Sequence, residues 1–454
     1  MPVVLFLAQA SAFAGVLDEH PGHWLGDMIL PGGRVVKVGA EVFTRADGSA
    51  WASFANPDLG AYNMPVKKIS EMGETALADL GFGSMTLTWA EDHFKGEWKQ
   101  GGAAFPVELK QVADFPRKVR SQTPVAPLPY REETLAIPSG DGVMLGATLS
   151  MPAGVRHPKV VILVHGSGPQ TRDEEFDGHR TFSVLADHLA RQGIAVLRYD
   201  KRGIGRSTGD YANHTQAQLI DDVGAAVQAM RARKQFRQVG PLGHSEGPML
   251  AARYAAAHPG AVDFIVSLAG VGLPGIDLML LQDRMAAADH GADEAAVARL
   301  MPYVRNYYQI VMTQSEPAAR VTALKALYEG LSPEDRALVV KHRMNQGTLS
   351  TAMAAKPMLP VLLKANPVDD WRAVRCPVLA LNGSVDRQVP VESMEGIVAA
   401  LKAGGNRKVE SAVMPSLNHM FQTAKTGKED EYGALDETIA PAALSKVTAF
   451  VRKQ

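Results

Sequence analysis

A single cysteine, Cys376, stands in a chain of 454 residues, so no disulfide can close within it. Cys376 leads into an apolar run and reads as a small core side chain, not a reactive thiol. No CxxC pair, no HxxxH pair and no EF-hand spacing is present, so neither a structural nor a catalytic metal is expected. Charge of either sign is not in excess: Lys plus Arg number 47 against 48 Asp plus Glu, a formal net charge of −1. Electrostatic capture of nucleic acid or of an anionic membrane is therefore not supported. Long hydrophobic runs are also missing. Val3 to Ala10 is apolar but far too short to span a bilayer, so no membrane span is expected. Ala12-Phe13-Ala14 before Gly15 resembles a signal-peptidase site, although a basic leading segment is lacking. Residues 1–15 thus read as the remnant of a clipped signal peptide, giving a periplasmic or secreted location, with a cytoplasmic one as the alternative.

Glycine, by contrast, is plentiful, and its placement carries the chemistry. Gly243-His244-Ser245-Glu246-Gly247 spells G-x-S-x-G. An apolar-leaning run, Val239 to Leu242, precedes it and a helix-like stretch, Met249 to Ala257, follows. In that strand–turn–helix setting the motif becomes a nucleophile elbow, with the serine strained and exposed at the top of a sheet. A chain with 42 glycines meets this pattern by chance easily, so its neighbours must decide.

They appear in a telling order. Val160 to Val164 is a continuous β-branched run, as expected of a strand buried on both faces. It ends in His165-Gly166-Ser167-Gly168-Pro169, a loop able to aim a backbone N–H at a developing oxyanion. The expected donors are the amides of Ser167 and of Glu246, the residue after the serine. Downstream, Pro377 to Leu381 is another buried-strand run opening into Asn382-Gly383-Ser384-Val385-Asp386. Asp386 lies past the strand end, where a triad acid belongs, whereas Asp369 and Asp370 precede the strand and sit at its opposite end. Val409 to Met414 reads as the last strand, and His419 follows it as the base. The order Ser, Asp, His is the one used by the α/β-hydrolase fold. His165 and His244 are bound into the turns and read as structural.

From about Glu132 to the C-terminus the chain resembles the α/β-hydrolase superfamily. More narrowly, HGSGP, the segment from Arg198 to Gly209, GHSEG, LNGSVDRQVP and the late histidine resemble bacterial esterases of the serine aminopeptidase-like group. One departure is Lys364-Ala365-Asn366-Pro367, where such proteins usually carry an acidic residue before the proline. The resemblance implies a triad of Ser245, Asp386 and His419, with the Ser167 and Glu246 amides as oxyanion hole. It implies a serine hydrolase cleaving short to medium acyl esters through an acyl-enzyme, with no cofactor and a small-molecule ester as its partner. An aminopeptidase or a thioesterase would use the same triad and is the alternative, since a fold does not select the leaving group. An aminopeptidase would also need an acidic clamp for an α-amine, for which Asp293, Glu294 and Glu316 are available. The natural ester and the oligomeric state are not legible.

The expected fold class is α/β: a mostly parallel sheet flanked by helices over 131–272 and 373–454, with two additions. Residues 20–115 carry short alternating strands and turn signals, such as Asp47-Gly48 and Gln100-Gly101-Gly102, which suggest a small antiparallel barrel or sandwich. Trp51, Trp89 and Trp98 suit its core better than a ligand pocket. Residues 116–130, rich in proline, form the linker. Residues 273–372 have helical periodicity and are the natural cap over the active site; Tyr307, Tyr308 and Met312 could face its pocket, but a helix this apolar must pack in any case, so they are not counted as site residues. Acyl-chain preference is accordingly expected to reside in the cap. The N-terminal unit holds none of the motifs, so a chain beginning near Glu132 is expected to keep the sheet and triad. The Arg198–Gly209 segment, with Asp200, Lys201 and Arg202, is expected to form a local ion-pair network, and Arg172, Asp173 and Glu174 stay ambiguous.

Overall fold

The computed structural model describes residues 15–356 and 358–454, so the expected signal segment lies outside the described residues except for Gly15. Its N-terminal part is one nine-stranded antiparallel sheet. Two meanders meet in its middle, where Gly22–Ile29 pairs with Ala103–Val112. The short helix Val16–Glu19 contacts strands of both halves, and the Leu17 amide donates to Glu71 Oε1 at 2.9 Å. Val16, Leu17, Trp24, Phe54, Met85, Phe94 and Leu109 fill the concave side, each buried. Trp98 is buried and Trp51 and Trp89 pack against the same core, while Trp51 also borders a cavity of about 310 Å³.

The second sheet has eight strands. A hairpin, Tyr130–Pro138 with Met144–Pro152, leads into it antiparallel. Ala195–Tyr199, Val160–Val164, Val239–His244, Ile265–Leu268, Val378–Gly383 and Val409–Met414 then lie side by side, all parallel. Helices cover both faces. Val160, Ile162 and Val164 enter the core on one face, while Val161 and Leu163 enter the core on the other. That two-sided burial is why the strand reads as an unbroken apolar run and not as an alternation.

Between Leu268 and Val378 the chain makes a helical excursion. Gly275–Asp289, Glu294–Thr313, Pro317–Glu329 and Pro333–Lys341 pack around a core of their own that includes Leu300, Tyr303, Val304, Tyr307 and Tyr308. Val368–Ala373, inside the stretch expected to be cap, behaves differently. It packs against Gly247–Ala257 and Val391–Ala403, and its Trp371 belongs to the core of the sheet domain. Among the described residues no helix is long and apolar enough to cross a membrane.

Candidate active site

Only Ser245 and Glu246 separate the strand Val239–His244 from the helix Gly247–Ala257. Ser245 takes φ 58°, a left-handed conformation that strains any residue with a side chain. Its amide donates to the Leu268 carbonyl at 2.9 Å, which ties the turn to the neighbouring strand. The flanking glycines are required by close approach. A Cβ on Gly243 would lie 2.2 Å from the Pro248 nitrogen, and one on Gly247 2.1 Å from the Val164 carbonyl oxygen.

Asp386 and His419 arrive from the last two strand ends. Asp386 Oδ1 accepts from the amides of Gln388 and Val389, both at 2.9 Å. His419 Nδ1 lies 2.9 Å from Asp386 Oδ2 and 3.1 Å from Oδ1. The carboxylate can only accept from the ring, so Nδ1 carries a proton. The two side chains are 4% and 0% exposed, respectively, for His419 and Asp386. Ser245 and His419 border one cavity of about 120 Å³. The hydrogen bond between Ser245 Oγ and His419 Nε2 is not formed among the described residues. Such contacts often tighten only when a substrate is bound.

The expected oxyanion donors lie beside this cavity in different ways. Ser167 lines it, and Glu246 opens the helix whose positive end faces the turn. Neither amide has an acceptor among the described residues. The Gly166 amide, in contrast, is engaged by Glu174 Oε1 at 2.8 Å. The loop is braced from behind by buried charges. Lys201 Nζ donates to the Gly166 carbonyl at 2.7 Å, and Arg172 grips Asp200 through Nε at 3.1 Å and Nη2 at 2.6 Å. Arg202 holds Asp222 through two bonds of 2.8 and 2.7 Å. These are the ion pairs expected of the Arg198–Gly209 segment.

The walls differ from expectation. Gln170, Phe176, Gln388, Met420 and Tyr432 complete the cavity, and none of its lining comes from residues 273–372. Tyr307 and Tyr308 are buried within the cap core, with hydroxyls donating to the Ser350 carbonyl and to Asp283, and Met312 packs against the same core. Helical periodicity marks a buried face without saying whether a pocket or a neighbouring helix covers it. The cap instead lines a second compartment of about 550 Å³, bordered by Gln282, His290, Arg343, Arg387 and Gln388 among others. Gln388 belongs to both. Phe176 and Tyr432 carried no sequence signal as wall residues, and Glu174 was visible only as one member of an ambiguous charged run.

Residues 156–423 match the family model described as serine aminopeptidase, S33. Among curated proteins, an esterase, EstD, from Thermotoga maritima is 36% identical over 106 residues, 23% of this chain and 26% of the esterase. The match therefore spans about a quarter of that relative. A non-heme chloroperoxidase from Streptomyces lividans is 24% identical over 251 residues, 54% of this chain and 82% of its own. Among solved structures, an esterase from Pyrococcus furiosus superposes with a TM-score of 0.43 at 19% identity, covering 74% of this chain and 96% of that one.

Proposed function

This chain belongs to the serine aminopeptidase (S33) family of α/β hydrolases, and on that premise we propose that it hydrolyses carboxylic esters of short acyl chains. The observation that carries the reading is the convergence of Ser245 and the Asp386–His419 pair on one small cavity. In the proposed reaction His419 Nε2 takes the proton of Ser245 Oγ as that oxygen attacks the ester carbonyl. Asp386 keeps the imidazole oriented and stabilises the imidazolium. The Ser167 and Glu246 amides meet the oxyanion, a single such donor contributing about 2.7–4 kcal/mol. The C–O bond to the alcohol then breaks, and His419 returns its proton to the departing oxygen. Water, activated by the same histidine, releases the acid and restores Ser245.

Two features supply the substrate side of the proposal. A cavity of about 120 Å³ walled by Phe176, Met420 and Tyr432 leaves room for a short acyl group and little more. The leaving oxygen must face His419, which protonates it. The second compartment shares Gln388 with the cavity, and the Gln388 amide is bonded to Asp386, so we assign the alcohol to that compartment. Its polar lining suits a polar alcohol.

The aminopeptidase alternative finds less support. Asp293 Oδ1 caps a helix by accepting from the Ala296 amide at 2.8 Å, and neither Glu294 nor Glu316 lines the cavity. Glu174, the one carboxylate on the cavity wall, is already committed to Gly166 and His244. Purified protein should hydrolyse p-nitrophenyl acetate and butyrate much faster than aminoacyl p-nitroanilides. The reverse preference would replace esterase with peptidase.

A further inference from the structure

His244, the residue before the serine, has an acceptor at each ring nitrogen. Nε2 lies 3.0 Å from the carbonyl oxygen of His419, and Nδ1 lies 3.2 Å from Glu174 Oε1. A carbonyl oxygen cannot donate, so Nε2 must carry a proton. For the contact with Glu174 to be a hydrogen bond as well, one more proton must be shared between the imidazole and the carboxylate. Both side chains are buried, at 6% and 3% exposure for His244 and Glu174. The same Glu174 oxygen accepts from the Gly166 amide at 2.8 Å. One continuous line of hydrogen bonds therefore runs from the glycine next to Ser167, through Glu174 and His244, to the main chain of His419. It passes directly beside Ser245 in sequence and in space: a Cβ on Gly166 would lie 3.1 Å from Ser245 Cβ.

We infer that Glu174 and His244 are positioning residues that hold the oxyanion loop and the base in register with Ser245 through one shared proton. The inference rests on the reading of Ser245 and His419 as nucleophile and base. Loss of the shared proton turns one of the two imidazole contacts from attractive to repulsive, since a neutral ring presents a lone pair to either the carbonyl or the carboxylate. The surrounding charges favour keeping it. Burial by itself lowers the His244 pKa, but the Glu174 carboxylate, the His419 carbonyl and Asp386 together raise it above the ordinary histidine value. Burial likewise pushes Glu174 up, and His244, the Gly166 amide and His165 bring it below the usual carboxylate range. The other groups facing the pair are the His419 ring, 4.8 Å from that of His244, and Lys201, whose ammonium is bonded to the Gly166 carbonyl.

The test uses His244→Gln and Glu174→Gln in the full chain. Glutamine in place of His244 keeps a donor for the His419 carbonyl but cannot hold the extra proton. Each variant should lose about 10²-fold in kcat, the scale of a small misplacement of reacting groups, with KM changed little. The basic limb of the wild-type kcat/KM profile that reports loss of the shared proton should be absent from both, and Glu174→Asp should recover part of kcat. Folded variants with unchanged kcat and unchanged pH profile would overturn the inference. Should the variants fail to fold, 15N spectra of histidine-labelled wild type decide: both His244 nitrogens must carry protons at neutral pH. A His244 ring protonated at one nitrogen alone would overturn it. If Ser245→Ala retained full activity, the underlying reading would fail instead, so the two failures are distinct.

Discussion

The Arg120 guanidinium donates to the Gly433 carbonyl across 3.0 Å, joining residues 313 positions apart. It also reaches the carbonyls of Asp177, at 2.7 Å, and Leu435. Arg120 is 2% exposed and lies in the proline-rich linker. Its partners flank Phe176 and Tyr432, whose rings meet edge-on at 5.9 Å on the cavity wall. Gln122 extends the same seam, donating to the Ile439 carbonyl and accepting from the Thr438 and Ile439 amides. The linker does not line the cavity but ties together the segments that carry two of its wall residues, and residues 132–454 alone lack it. A chain shortened to begin at Glu132 should therefore keep its sheet yet lose much of its kcat/KM, whereas one beginning at Arg117 should keep far more. Arg120→Ala in the full chain removes three hydrogen bonds and should cost more than about 1.5–3 kcal/mol, the worth of a single hydrogen bond from a charged group. Urea midpoints and p-nitrophenyl acetate kinetics measure both effects. Equal activity in the two shortened chains would show that the linker is a mere tether.

Removing the nucleophile is the simplest check of the chemistry. Ser245→Ala deletes one hydroxyl from a turn whose geometry is set by Gly243 and Gly247, so folding should be unaffected. Ester hydrolysis should fall by more than about a thousandfold. Fluorophosphonate labelling of the wild type should vanish in the variant. Asp386→Asn, which disturbs the acceptor for His419 Nδ1 and for two amides, should lower kcat far more than it raises KM. An Asn variant with near-normal kcat would move the acid elsewhere.

Much of the site was legible because turns and strand ends leave marks in sequence. Ser245, Asp386 and His419 each follow the end of a strand of the parallel sheet, and Val378–Gly383, before Asp386, is buried throughout and reads as an apolar run, whereas Val409–Met414, before His419, is mostly exposed and was legible from its place after the acid. The two glycines of the elbow are there because backbone atoms occupy the space of a Cβ. The wall residues were not legible for the opposite reason: Phe176 lies in a two-residue strand and Tyr432 ends a four-residue helix, elements too short to leave a periodic signal, and nothing local to either shows that the other faces it. Tyr307 and Tyr308 left the choice open for a similar cause, and the packing role that their apolar helix favoured is the one found. An apolar helix face looks the same whether it covers a pocket or packs a bundle, and here the bundle core claims it.

His165 makes the fold sensitive to acid. Burial foremost, with Lys201 nearby, lowers its pKa to about 4 from the usual 6.5. A depressed folded value means that the neutral ring is what the fold accommodates. Its contribution is fully present above pH 6.5 and is lost as pH falls towards 4, by roughly 3 kcal/mol in all. His165→Gln removes this titration, so its stability should decline less between pH 7 and pH 4.5 than that of the wild type. Urea midpoints at the two pH values give the comparison, and equal declines would show that other groups govern acid unfolding.

Acyl choice and alcohol choice should separate by residue. In the proposed reaction the acyl group would enter the small cavity, whose walls include Phe176, Met420 and Tyr432 and no residue of the cap. Acetyl and butyryl esters should be favoured over dodecanoyl ones, and Phe176→Ala should shift the preference towards longer chains by opening that wall. The cap touches the reaction through the other compartment. Gln282 donates to the Gln388 carbonyl, and Arg387 holds Asp289 at 2.6 Å, so the cap is fastened to the loop that carries Asp386. His290, at the end of the first cap helix, borders that compartment. His290→Leu should leave the acyl-chain profile unchanged while lowering kcat/KM for acetyl esters of polyhydroxylated alcohols relative to acetyl esters of apolar ones. A change in acyl profile from His290→Leu, or none from Phe176→Ala, would return chain-length selection to the cap.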